Sequence, residues 1–156
     1  ADFVDHVAET LHAAGLPPGL LELELTESIL VRDADEALKR LQALAELGVK
    51  LAIDDFGTGY SSLGYLKRFP IQKLKIDRSF IQDVPDDDSD VAIVNAVINL
   101  AQALRLRVIA EGVEHLAQLQ FLSDAGCHEF QGFFCSRAMA PEAFETFHRD
   151  IAVRSD

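Results

Sequence analysis

At 156 residues the chain is one domain or part of a larger one, and its 49% apolar content excludes a disordered polymer. A formal net charge of −12 disfavours nucleic-acid polymers and anionic membranes as partners; an anionic small molecule stays possible where metal ions mediate the contact. No apolar run reaches bilayer length, no signal-peptide pattern opens the chain, and Cys127 and Cys135 lack metal-ligand spacing. Reduced thiols in a cytoplasmic compartment are expected, with any membrane anchor confined to a parent protein.

Taken in order, Phe3 to Ala14 predicts a helix, with apolar Phe3, Val4, Val7, Leu11 and Ala14 and a stop at Gly15. A strand from Leu20 to Thr26 alternates Leu21, Leu23 and Leu25 against Glu22 and Glu24. Asp33 and Glu36 predict a capped helix through Leu38, Leu41, Leu44 and Leu47, ended by Gly48. A second strand, Val49 to Asp54, is followed by a short helix near Ser62 to Arg68 and a third strand, Lys73 to Asp77. An acidic loop, Pro85 to Asp90, opens an amphipathic helix with Val91, Val94, Val97, Ile98, Ala101 and Leu104 on one face. The fourth strand is Arg107 to Glu111, a helix runs from about Glu114 to Asp124, and the fifth strand is Cys127 to Gln131. Pro141 starts a last helix with Phe144, Phe147 and Ile151 facing inward.

Alternating strands and helices mean parallel strands joined by crossover helices. The strands carry polar residues on one parity only, which favours a (β/α)8 barrel over a doubly wound sheet whose strands are apolar on both faces. Five strands cannot close such a barrel, so an incomplete α/β barrel lacking about three N-terminal strands is expected. The chain starts with Ala rather than Met, which suggests a piece of something longer. Open edge strands would then be completed by another copy or by the rest of a longer chain.

The polar residues gather at the C-terminal strand ends: Glu24 and Glu27, Asp54 and Asp55, Lys75 and Asp77, Glu111 and Glu114, and Gln131. In a βα barrel this is the face where active sites are built. One acid at a strand end is a cap or a solvated rim residue; five ends behaving alike are hard to assign to capping. Oxygen donors without His or Cys suit hard cations such as Mg²⁺ or Mn²⁺, and several carboxylates around a shared one suit two-metal phosphoryl hydrolysis. The histidines are scattered without ligand spacing.

Five ordered motifs carry a family resemblance. They are Leu23-Glu24-Leu25-Thr26-Glu27-Ser28, then Asp54-Asp55-Phe56-Gly57-Thr58-Gly59-Tyr60-Ser61-Ser62, then Leu74-Lys75-Ile76-Asp77, Ala110-Glu111-Gly112-Val113-Glu114, and Gln131-Gly132-Phe133. In that order they resemble the EAL-domain family, bacterial phosphodiesterases that linearise cyclic di-GMP. The resemblance covers essentially the whole chain, residues 1–156, as the C-terminal portion of one domain. It implies that Glu24 and Asp54 bind one metal and Asp54 and Asp55 a second, with Asp54 bridging and Glu111 completing the second site or orienting its water. Lys75 would hold or activate the attacking water and Gln131 help position it. Glu27 would anchor the loop after Asp55, through Ser61 or a neighbour, and couple metal binding to a homodimer.

The family's own Glu-Ala-Leu strand and the Asn ligand that follows it do not precede Glu24. Glu36-Ala37-Leu38 is a decoy inside a helix. The resemblance thus implies a metal-dependent phosphodiesterase, with the isolated fragment inactive for want of two upstream ligands. The alternative is an inactive EAL-like receptor for cyclic di-GMP, or a protein-interaction module. A sensory or diguanylate-cyclase domain in the parent chain is compatible with either.

Overall fold

The computed structural model describes residues 2–26, 34–58 and 63–154. Helix α1 (Phe3–Ala14) starts at Asp2, whose side chain accepts the Phe3 N–H at 2.6 Å, and closes at Gly15 with φ 62°. Its buried face is narrower than expected: Val7 and Leu11 are buried, while Phe3 and Ala14 are exposed. A 3-10 turn, Pro18–Leu20, takes the start of the expected first strand, so β1 is Glu22–Thr26. There follow α2 (Ala34–Glu46), β2 (Lys50–Phe56), α3 (Leu63–Leu66), β3 (Lys73–Ile76), α4 (Arg78–Ile81) and α5 (Asp88–Ala103). The chain continues with β4 (Arg107–Glu111), α6 (Leu116–Asp124), β5 (Glu129–Gln131) and α7 (Pro141–Arg154). The expected helix cap at Asp33 lies outside the described residues.

All five strands are parallel, in the order β1-β2-β3-β4-β5. This is the α/β architecture of a (β/α)8 barrel wall, with β1 and β5 at the edges of the five-stranded sheet. Alternation assigns the two faces. Leu51, Ile53, Leu74 and Ile76 are fully buried with Ile81, Val94, Ile98 and Leu122, each apolar side chain contributing about 1.5–3 kcal/mol. The opposite parity is largely charged, and Lys73 on β3 joins strands that are not its neighbours, β1 and β5. Lys73 Nζ lies 2.9 Å from Glu22 Oε1 on β1 and 3.6 Å from Glu129 Oε2 on β5, and Arg107 Nη1 lies 3.2 Å from Glu129 Oε1. Side chains two strands apart meet in this way on the concave inner wall of a barrel.

Two expectations about helices are corrected. Asp88, Ser89 and Asp90 belong to α5, because Asp87 caps it by accepting the Ser89 and Asp90 N–H groups; the loop ends three residues earlier than its acidity suggests. Phe144 and Phe147 do not face inward. Phe144 is 55% exposed, and both line an open groove of about 680 Å³ with Phe133 and Met139. The side chain of Ile151 is outside the described set.

Candidate metal and phosphodiester site

Two adjacent residues on a regular strand point to opposite faces, which would separate Asp54 from Asp55. β2 avoids this by a bulge. Its pairing with β3 shifts register between Ile53 and Phe56, and Asp55 takes a left-handed φ of 53°. Aspartate tolerates that conformation better than most residues, and local bonds hold it. Asp54 Oδ1 accepts the Asp55 N–H at 3.1 Å, and the Asp55 carbonyl accepts the Thr58 hydroxyl at 2.8 Å. As a result, carboxylate oxygens of Asp54, Asp55 and Glu111 all lie within 4.8 Å of one another. The strand therefore runs through both acids instead of ending at Asp54.

Lys75 joins this group to β1. Its Nζ lies 2.8 Å from Glu24 Oε1, 3.0 Å from Asp54 Oδ1 and 2.6 Å from Glu111 Oε1. The lysine is buried at 5% exposure, and Glu24 is the most open of its three partners. Burial pushes its pKa down, but the hydrogen bonds to Glu111, Glu24 and Asp54 outweigh this and hold it above the ordinary lysine value. Asp55 moves the other way: desolvation, then the charges of Asp54 and Asp77, raise its carboxyl above the usual range.

Asp77 has a structural task at the rim. It caps α4, accepting the Ser79 N–H at 3.0 Å and bonding the Ser79 hydroxyl. Desolvation raises its carboxyl, but these bonds prevail and hold it below the ordinary aspartate value. Helix α4 is too short for a periodicity to reveal, yet the Asp77-Arg78-Ser79 sequence carries its cap signature. Glu114 pairs with Arg78 at 3.3 Å, away from the Lys75 cluster. Gln131 ends β5 opposite Glu111 in register. Glu27 and Ser61 lie outside the described residues.

Glu24, Asp54, Asp55 and Glu111 are four carboxylates around one ammonium, that of Lys75. The excess of negative charge, the raised Asp55 carboxyl and the absence of nitrogen or sulfur donors from this group fit divalent, oxygen-seeking cations. Asp54, Asp55 and Glu111 could hold such an ion directly, and Glu24 reaches the group through Lys75.

Acidic strand ends around a buried lysine, on one face of a parallel βα sheet, define a class of barrel proteins with a polar rim site. Residues 1–138 match the EAL domain model, and the chain belongs to the EAL-domain family. It is 50% identical over 142 residues to the "Bifunctional diguanylate cyclase/cyclic di-GMP phosphodiesterase MucR" of Pseudomonas aeruginosa, an alignment covering 91% of this chain and 21% of that protein. The chain thus spans about a fifth of the length of that curated relative. The solved structure "PaMucR Phosphodiesterase, c-di-GMP complex" superposes with a TM-score of 0.89 at 49% identity, covering 92% of this chain and 58% of that one. "Klebsiella pneumoniae BlrP1 pH 9.0 manganese/cy-diGMP complex" superposes with a TM-score of 0.79 at 41% identity, covering 86% of this chain and 34% of that one. No helix among the described residues is long and apolar enough to cross a membrane.

Proposed function

We propose that the chain is the C-terminal portion of a single EAL domain whose remaining strands precede it. The complete domain hydrolyses cyclic di-GMP to the linear dinucleotide with Mg²⁺ or Mn²⁺ bound. The single observation that carries this reading is the convergence of Glu24, Asp54 and Glu111 on Lys75, with Asp55 beside them. A manganese complex with the cyclic dinucleotide in a relative at 41% identity supports the same choice of cofactor and substrate. By the same reading the parent chain carries further domains, a diguanylate cyclase among the candidates, and the protein acts as a homodimer in bacterial second-messenger signalling.

When bound, a pair of divalent ions supplies the Lewis acidity that makes water nucleophilic at neutral pH and neutralises charge on the phosphoryl oxygens. Asp54, Asp55, Glu111 and Glu24 hold that charge in place. Lys75, kept protonated by its three carboxylate partners, steadies the attacking water, and Gln131 orients it from the neighbouring strand end. The water oxygen bonds to phosphorus as one P–O ester bond breaks; of the water's two protons, one passes to solvent and a second, exchanged through solvent, ends on the departing ribose oxygen. By the family resemblance, Glu27 and Ser61 would have the role of anchoring the segment that follows Asp55.

The test is hydrolysis of cyclic di-GMP by the full-length protein with Mn²⁺ in ¹⁸O-enriched water. The reading predicts linear dinucleotide carrying one ¹⁸O on its new phosphate. Tight binding with no product would make the protein a receptor instead.

A further inference from the structure

Among the described residues, two polar side chains are buried: Lys75 in the site, and Gln118 outside it at 3% exposure. A glutamine at the third position of a helix needs only one bond, back to the N–H of the capping residue, to complete a capping box. Gln118 makes that bond, accepting the His115 N–H at 2.9 Å, and three others. Its Oε1 also accepts the Glu114 N–H at 2.8 Å, and its Nε2 donates to the carbonyls of Ile81 at 3.0 Å and Gln82 at 3.1 Å.

These four bonds join two segments of the rim. Glu114 and His115 lie in the loop that leaves β4 just after Glu111, whereas Ile81 and Gln82 end α4, which starts directly after Asp77 on the Lys75 side. The same segments touch at Gly112, where φ is 72° and a Cβ would sit 2.4 Å from Arg78 Cγ. They meet again in the Arg78–Glu114 pair, which is half open to solvent and contributes little. The loop is also tied to β5, since the Val113 N–H donates to the Gln131 carbonyl at 3.1 Å. The segment after β4 thus links the strand ends that carry Lys75, Glu111 and Gln131, and Gln118 anchors it from a buried position.

We propose that Gln118 is a positioning residue for the phosphodiester chemistry, fixing the separation of Lys75 and Glu111 through the 112–115 backbone. The proposal rests on the hydrolytic reading above. Losing the amide leaves two part-buried N–H groups, the buried Ile81 carbonyl and the Gln82 carbonyl short of a partner, and the loop shifts to recover them.

The test compares full-length wild type with Gln118→Met, which keeps the buried volume, and with Leu122→Ala, a core change on the same helix. In Gln118→Met, kcat for cyclic di-GMP is expected to fall about tenfold or more with KM nearly unchanged, as for a misplaced reacting group. Leu122→Ala should lose at least as much thermal stability and keep its kcat. A Mn²⁺ titration without substrate should show affinity weakened about tenfold in Gln118→Met alone, the usual scale for a lost supporting bond. Normal kcat and Mn²⁺ affinity in Gln118→Met, or losses in both variants that simply follow Tm, would overturn the proposal. If Gln118→Met does not fold, Gln118→Glu, which keeps the acceptor and loses the donor, is read by the same criteria. Wild type that binds Mn²⁺ but never turns over would refute the hydrolytic reading, and the titration would still decide the role of Gln118.

Discussion

Asp55 combines a left-handed backbone with a carboxyl that its neighbours push upward, and both features work against the metal-free fold. A carboxyl whose folded pKa exceeds its unfolded value contributes stability that is complete below the unfolded pKa and lost as pH rises through the folded one. At neutral pH the ionised form is therefore a burden unless a cation shares the site. Asp55→Asn keeps the shape and the tolerance of positive φ while removing the charge. It is expected to raise the metal-free Tm and to abolish the rise in Tm that Mn²⁺ gives wild type. Calorimetry with and without Mn²⁺ checks this; a lowered metal-free Tm would count against it. Lys75 has the opposite sign. Burial lowers its pKa, its carboxylate partners raise it further, and the resulting stability is full below the unfolded lysine pKa and lost only as pH rises through the folded one. Lys75→Met leaves three carboxylates facing one another, so metal-free stability should fall by about 3 kcal/mol in urea titrations, with Mn²⁺ restoring part of it. An unchanged midpoint would contradict that assignment. The acidic pair itself was legible in the sequence. The bulge that turns both acids toward one site was not, because a period of two places neighbours on opposite faces.

Parallel pairing followed from the alternation of strands with helices, the barrel from the single polar parity of the strands, and β4 matched to the residue. Boundaries failed where local geometry overrode the pattern. Pro17 and Pro18 start a 3-10 turn that takes Leu20 from β1, and the Asp55 bulge prolongs β2 to Phe56. The helical spacing of Phe144 and Phe147 fits a buried face equally well, yet their groove is open; spacing says which residues share a face, not what covers it. A Cβ on Gly132 would sit 2.1 Å from the Val113 carbonyl oxygen, against backbone that is itself bonded to Gln131 and Phe134. Gly132→Ala is expected to cost more than about 3 kcal/mol, because no flexible side chain can yield there. A folded variant with the wild-type urea midpoint would contradict this packing.

For the molecule as a whole, the charge of −12 and the carboxylates crowded on one face of the sheet disfavour direct contact with anions and favour cations there. Family membership was readable because five motifs recur in order at the strand ends. The placement of Gln118 was not readable, since a polar residue on a helix reads as solvated until tertiary packing buries it. The account stands most directly on turnover of cyclic di-GMP by the full-length protein in Mn²⁺, measured side by side for wild type and Asp54→Asn. It predicts a loss of at least about a hundredfold in kcat for the variant at unchanged fold, as expected when a charge-holding group at the reacting centre is removed. Equal turnover by the two proteins would contradict it and place the chemistry elsewhere.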